Sequence, residues 1–195
     1  MTTDNTQLIS DFIEYYKGLP EAERFKLGGL FNKETGGKLS PYNSPNPVAV
    51  GVLQIQDGDE IKLLGIVRGI MPKIGEIAFP GGFQNPLENG RIAAAREIKE
   101  ETGLDTNPED YSILDTKMSP TNNELIFYVN KNVYPKEILN TLFCNPDEKG
   151  IVEVTGFVLI DRDTPMAFPF HREVATAVIN TANNVELQNT TRLKM

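Results

Sequence analysis

Cysteine and histidine are almost missing: the 195 residues hold one of each, Cys144 and His171. A single cysteine forbids a disulfide within the chain and a zinc site built on several thiolates. A single histidine excludes a His-rich metal centre. Basic residues are the minority charge, 19 against 27 acidic, for a net charge of −8. Binding to duplex nucleic acid or to an anionic membrane is driven by basic surface, so neither partner is expected. A small anion held through a divalent metal remains compatible with the acidic balance. No run reaches the roughly 18 apolar residues that a membrane span needs. The opening MTTDNTQLISDF lacks the basic start and apolar core of a secretion signal. The expected setting is reducing and cytoplasmic. What is present is ordinary for a folded chain: 39% hydrophobic and 24% charged residues, enough for one core.

The chain reads as two parts. Residues 5–31 carry two helical patterns: Leu8, Ile9, Phe12, Ile13 and Tyr16, then Phe25, Leu27, Leu30 and Phe31, separated by Gly18 and Pro20. Residues 32–47 are polar and broken by proline and glycine, as in a loop. We therefore expect an N-terminal helical extension and linker over 1–46 and a main body over 47–195. In the main body, 48–55 and 61–67 are rich in Val, Ile and Leu and flank Gln56-Asp57-Gly58-Asp59, a hairpin signature. Strands are expected at 111–118, 125–129 and 153–160. Helices are expected at 91–102, where Gly103 makes a good stop, at 134–143 and at 171–181. Strands interleaved with few helices imply an α/β chain with a mixed sheet flanked by helices.

One segment carries the chemistry: 82–104, GFQNPLENGRIAAAREIKEETGL. On a helix with Glu97 at 0°, Glu101 falls at about 40° and Glu100 at about −60°, an arc of about 100°. Ala94, Ala95 and Ile98 form an adjoining apolar side. Ala93 shares the acidic arc, where its small size leaves room. Carboxylates one turn apart repel unless something neutralises them. Hard cations such as Mg²⁺ and Mn²⁺ take oxygen ligands and bridge carboxylates to phosphates. Arg96 lies four residues before Glu100, the spacing of a helical ion pair. For a lone Glu-x-x-Glu-Glu, a solvated acidic face is the better explanation, since charge runs are usually just solvated.

The spacing over the whole segment is more specific. Gly82, Glu88, Arg96, Glu97, Ile98, Glu100, Glu101, Gly103 and Leu104 match G-x5-E-x7-R-E-U-x-E-E-x-G-U, with U aliphatic. This resembles the Nudix box of the Nudix hydrolases. The resemblance implies an α/β/α sandwich with a mixed sheet over 47–195, with the two-helix extension outside it. It implies metal-dependent hydrolysis of the pyrophosphate in a nucleoside diphosphate linked to another group. Mg²⁺ or Mn²⁺ would be held by Glu97 and Glu101, assisted by Glu100, with a backbone ligand near Gly82. Arg96 would orient a glutamate, and Glu88 would bind metal through water or stabilise its loop. Gly81 and Gly82 would bring backbone close to the phosphates. Relatives take a general base from a late loop, where Asp147, Glu148 and Glu153 stand; Glu148 is favoured, with Glu97 and Glu100 as alternatives.

Outside the box, Arg68 and Lys73 are candidate phosphate ligands. Phe127, Tyr128, Phe168 and Phe170 are aromatics that either stack on a base or fill the core, and Phe170 is the one expected to contact the substrate. His171 either caps a helix or touches ligand. The Pro-Gly-Gly-Phe opening looks like that of members acting on ADP-ribose and dinucleotides, so a small nucleotide is the expected partner. The chain lacks the arginine-rich substrate segment of some ADP-ribose enzymes; 119–123 read Ser-Pro-Thr-Asn-Asn. Relatives also pair through N-terminal extensions, which implies a homodimer. A non-catalytic nucleotide sensor on the same fold is the alternative. An isomerase of this fold would need a catalytic cysteine and metal-binding histidines, for which only Cys144 and His171 are at hand.

Overall fold

The centre of the main body is β1 (Asn46–Asp57), which is apolar on both sides because both sides are covered. Ala49, Leu53 and Ile55 face a cluster with Ala93, Ala94, Ala95 and Ile98 of helix α2 (Gly90–Thr102). Val50 and Val52 face the opposite cluster, with Val174, Ala175, Val178 and Ile179 of helix α3 (Pro169–Arg192). The strand alternation thus sorts its side chains between two helical layers. The computed structural model describes residues 5–20, 22–24, 26–27, 45–119, 123–144, 146 and 150–192. Two compact units divide it, Met1–Pro45 and Asn46–Met195.

Among the described residues the sheet has seven strands. The remaining six are β2 (Glu60–Arg68), β3 (Ile77–Ala78), β4 (Gly81–Phe83), β5 (Tyr111–Met118), β6 (Asn123–Pro135) and β7 (Val154–Ile160). The order is β3-β2-β1-β6-β5, with β4 on β1 and β7 on β2. β1 and β6 run parallel, and the other pairings are antiparallel. The β1–β2 hairpin forms as expected, but its two loop residues are Gly58 and Asp59, since Asp57 pairs with Glu60. Gly58 supplies the positive φ of 64°. No helix of the described residues is long and apolar enough to cross a membrane.

The short strands β3 and β4 were not expected, and three expected elements take other bounds or forms. β6 runs to Pro135 because Val133, Tyr134 and Pro135 pair with Gln54, Ile55 and Gln56. The helix expected at 134–143 is therefore only a 3-10 helix, Lys136–Thr141, whose Ile138 and Leu139 pack on the α2 cluster. α3 continues to Arg192, well past residue 181. In the N-terminal unit, α1 (Asn5–Gly18) forms, and 22–24 and 26–27 are helical. The expected loop over 32–44 lies outside the described residues.

Candidate active site

α2 is placed by its ends. Asn89 is its N-cap, and the side-chain oxygen accepts from the Arg91 N–H at 2.9 Å. Gly103 closes it at φ 74°, donating its N–H to the Lys99 carbonyl. Its floor is close: a Cβ at Gly51 of β1 would lie 2.8 Å from Ile98. That seating turns the acidic edge inward instead of toward water. Glu97 is 7% exposed and Glu101 is 9% exposed. Ala93 is fully buried, so it leaves no open space above the acidic edge.

Both carboxylates face the Gly81–Gly82 backbone of β4. The Gly81 N–H donates to Glu101 Oε2 at 2.9 Å. A Cβ on Gly82 would sit 2.5 Å from Glu97 Oε1, so only glycine leaves that carboxylate its place. Gly81 is equally constrained, with the Ala49 carbonyl 2.6 Å from where a Cβ would stand. Burial pushes Glu97 up to about 7, against the pull of Arg96. Burial, then the Glu97 charge, pushes Glu101 up to about 8.

Arg96 ties the surrounding carboxylates together. Its Nε and Nη2 donate to Glu88 at 2.8 and 2.9 Å, and Nη1 donates to Glu97 at 2.7 Å and Glu100 at 2.9 Å. Nη2 also donates to the Phe83 carbonyl at 3.0 Å. Glu88 further accepts from the Asn85 N–H at 2.8 Å, which fixes the loop between β4 and α2. Glu100, with its side chain 57% exposed, stands outside the buried pair and shares Arg96 with Glu97.

Two residues from other elements act on this pair. Arg68, at the end of β2, is a positive neighbour that lowers the Glu101 pKa. Its guanidinium lies over the Phe168 ring at 5.3 Å, and its Nε donates to the Pro72 carbonyl at 2.8 Å. Glu153, just before β7, raises the pKa of both Glu97 and Glu101. The Gly69 N–H, donating to the Glu153 carbonyl at 2.7 Å, holds it beside Arg68. Among the described residues Glu153 is thus a late carboxylate brought to the pair; Asp147 and Glu148 lie outside the described residues. The signal for it was the strand register that sets Arg68 against Val154.

Other candidates go elsewhere. Phe170 packs half-buried on the α3 cluster, away from the acidic edge of α2. His171 is buried as well: Nδ1 accepts from the Phe79 N–H at 3.1 Å, and Phe79, Phe127 and Phe168 surround its ring. Phe127 is fully buried, and Tyr128 packs under α2. Lys73 pairs with Glu76 at 3.1 Å. Cys144 is distant from the box in sequence yet near it in space; burial, then the Glu101 charge, raises its thiol pKa.

Among the described residues no three His, Cys, Asp or Glu side chains already converge as a metal-holding group. The donor set nevertheless fits a hard cation. Two mutually repelling, buried carboxylates offer oxygen only, and Mg²⁺ commonly takes one or two carboxylates with the rest of its shell from water and phosphate.

The NUDIX domain family model matches residues 45–176. Among solved structures, the chain is similar to the NUDIX domain of Shewanella oneidensis NrtR, solved with ADP ribose. That match has 16% identity over 80% of this chain and 95% of that chain, with a TM-score of 0.55. A mutT/nudix family protein from Listeria innocua matches at 18% identity over 75% of this chain and 99% of that one, with a TM-score of 0.54. A MutT/nudix family protein from Enterococcus faecalis is 22% identical over 77% of this chain, with a TM-score of 0.48; the chain spans 54% of its length. The first two likenesses show the α/β/α sandwich. A comparison with curated proteins gave no match.

Proposed function

The chain belongs to the NUDIX domain family, and from that premise we propose that it is a divalent-metal-dependent pyrophosphate hydrolase. Its substrate is a nucleoside diphosphate linked to another group, and one product is a nucleoside monophosphate. The observation that carries this reading is the buried Glu97–Glu101 pair, one helical turn apart and facing the Gly81–Gly82 backbone. ADP-ribose or a dinucleotide is the favoured substrate, in keeping with the ADP ribose held by the NrtR domain of the same fold.

Glu97 and Glu101, with Glu100 and the backbone at Gly82, would hold Mg²⁺ or Mn²⁺. When bound, such a cation neutralises phosphate charge and makes water a better nucleophile. Arg96 keeps Glu97 and Glu100 in position. Arg68 binds a phosphate oxygen, its guanidinium already oriented by Phe168 and Pro72. Glu153 accepts the proton of the attacking water. The water oxygen bonds to one phosphorus, the bridging P–O bond breaks, and the bridging oxygen leaves with the second phosphate. Glu148 is the alternative base.

The test is Glu101→Gln. The amide still accepts from Gly81, so the fold is retained, and kcat/KM with Mg²⁺ is expected to fall by about a hundredfold or more. Near-normal turnover would remove the metal assignment. Nucleotide binding by the wild type without product, with Mg²⁺ or Mn²⁺ present, would favour the non-catalytic sensor.

A further inference from the structure

The loop joining β2 to β3 is tightly held and apolar where it meets water. The Arg68 N–H donates to the Glu76 carbonyl at 3.0 Å, the Gly75 N–H to the Arg68 carbonyl at 2.8 Å and the Glu76 N–H to the Lys73 carbonyl at 3.2 Å. The Arg68 side chain adds its bond to Pro72. Gly75 at φ 78° and Lys73 at φ 69° make these turns. A loop closed by its own backbone gains nothing in folding from apolar side chains in solvent. Yet Met71 is 74% exposed and Ile74 is 59% exposed.

The segment entering β7 does the same, with Ile151 and Val152 each 44% exposed. The two segments are neighbours. Arg68 pairs with Val154, Gly69 donates to the Glu153 carbonyl, and the Val152 carbonyl occupies the space a Gly69 Cβ would need. This ribbon also carries Arg68 and Glu153, whose charges act on Glu101. Scattered exposed aliphatics are normal on a protein surface. Four of them on two adjoining segments, continuous with a site built for phosphate, are not scattered.

We infer that Met71, Ile74, Ile151 and Val152 form the wall on which the purine base of the substrate lies while its phosphates meet Arg68. This rests on the nucleotide reading given above and adds how the base is chosen. Aliphatic side chains and a thioether offer contact area to a flat ring without a hydrogen-bond pattern. Such a wall selects by area: purine over pyrimidine, with little distinction between adenine and guanine.

The test uses full-length protein and the double variant Met71→Ser/Ile151→Ser. Met71→Leu serves as the area-preserving variant, and Ile113→Ser, on the opposite edge strand β5, as the control. AMP, GMP and UMP are titrated calorimetrically with Mg²⁺, and ADP-ribose hydrolysis is followed separately. AMP and GMP should bind within about threefold of each other and UMP about fivefold more weakly. The double variant should weaken AMP and GMP by about fivefold or more and raise KM for ADP-ribose alike, with kcat kept within about twofold. Met71→Leu and Ile113→Ser should leave all of these near wild type. Unchanged AMP affinity in the double variant, equal purine and pyrimidine binding, or no AMP binding by the wild type would each overturn the inference. If AMP binding behaves as expected and ADP-ribose is not cleaved, the hydrolase reading fails and the wall stands. Should the double variant not fold, Ile74→Ser/Val152→Ser carries the same expectation.

Discussion

At the scale of single residues, the site is a set of charges held against their preference. Glu97 and Glu101 have been taken out of water beside each other, and both pKa values rise above 4.5, to about 7 and about 8. The metal-free folded chain therefore holds protons there that the unfolded chain releases at about 4.5. Protonation at these two groups favours the fold below that value, and the benefit is lost as pH rises through 7 and 8. A divalent cation needs both groups ionised, so it should offset the loss and gain affinity over the same window. The expected outcome is a Mg²⁺-induced rise in Tm that is small at pH 5.5 and large at pH 8.5, read by thermal melts with and without the metal. An equal rise at both pH values would show that the cation binds elsewhere. The residue types and their spacing were legible in the sequence, because helical periodicity alone puts 97, 100 and 101 on one arc. That Glu100 faces solvent and Glu101 does not was not legible. It depends on β4, which packs against only part of that arc. Glu153 was one of three candidates, and its place beside Arg68 comes from strand pairing across the chain.

At the scale of elements, α2 works because it sits low on β1. Gly51 has no side chain under Ile98, and Gly82 has none under Glu97. Gly51→Val would force Ile98 upward and lift the helix from the strand that sets its height. A stability loss of about 1–3 kcal/mol is expected, measured by urea unfolding. Turnover should fall in the same variant even where it is fully folded, because the carboxylates move with the helix. Unaltered activity would mean that Ile98 alone gives way. α3 is anchored in a different manner. His171 in its first turn takes the Phe79 N–H, and burial lowers its pKa to about 3. Its neutral form favours the fold above about 6.5, and that contribution is lost as pH falls toward 3, opposite in sign to the glutamate pair. The C-terminal stop of α2 was readable, since Gly103 is a local signal, whereas its N-cap Asn89 was not anticipated. The 3-10 helix at Lys136–Thr141 was not, because what extends the preceding strand is a parallel partner about eighty positions earlier.

At the scale of the molecule, the family match over 45–176 falls almost wholly within the unit Asn46–Met195. That unit alone should unfold cooperatively and keep metal-dependent hydrolysis within a few-fold of the full chain, as circular dichroism melts and product chromatography would show. Failure to fold would overturn this expectation. The fold class was readable from alternating strands and a single box; the strand order was not, since β1 binds partners before and after the box. That order has a consequence in time. β1 finds β6 only after the ribosome has made the whole stretch between them, and β2 finds β7 later still. Long-range parallel pairing makes folding slow, on the order of milliseconds to seconds. During synthesis the box helix and the strands β1 and β4 that seat it therefore emerge before β6 and β7 have joined the sheet. For that interval the nascent chain cannot complete its catalytic site, because Glu153 joins the glutamate pair only with the last strand.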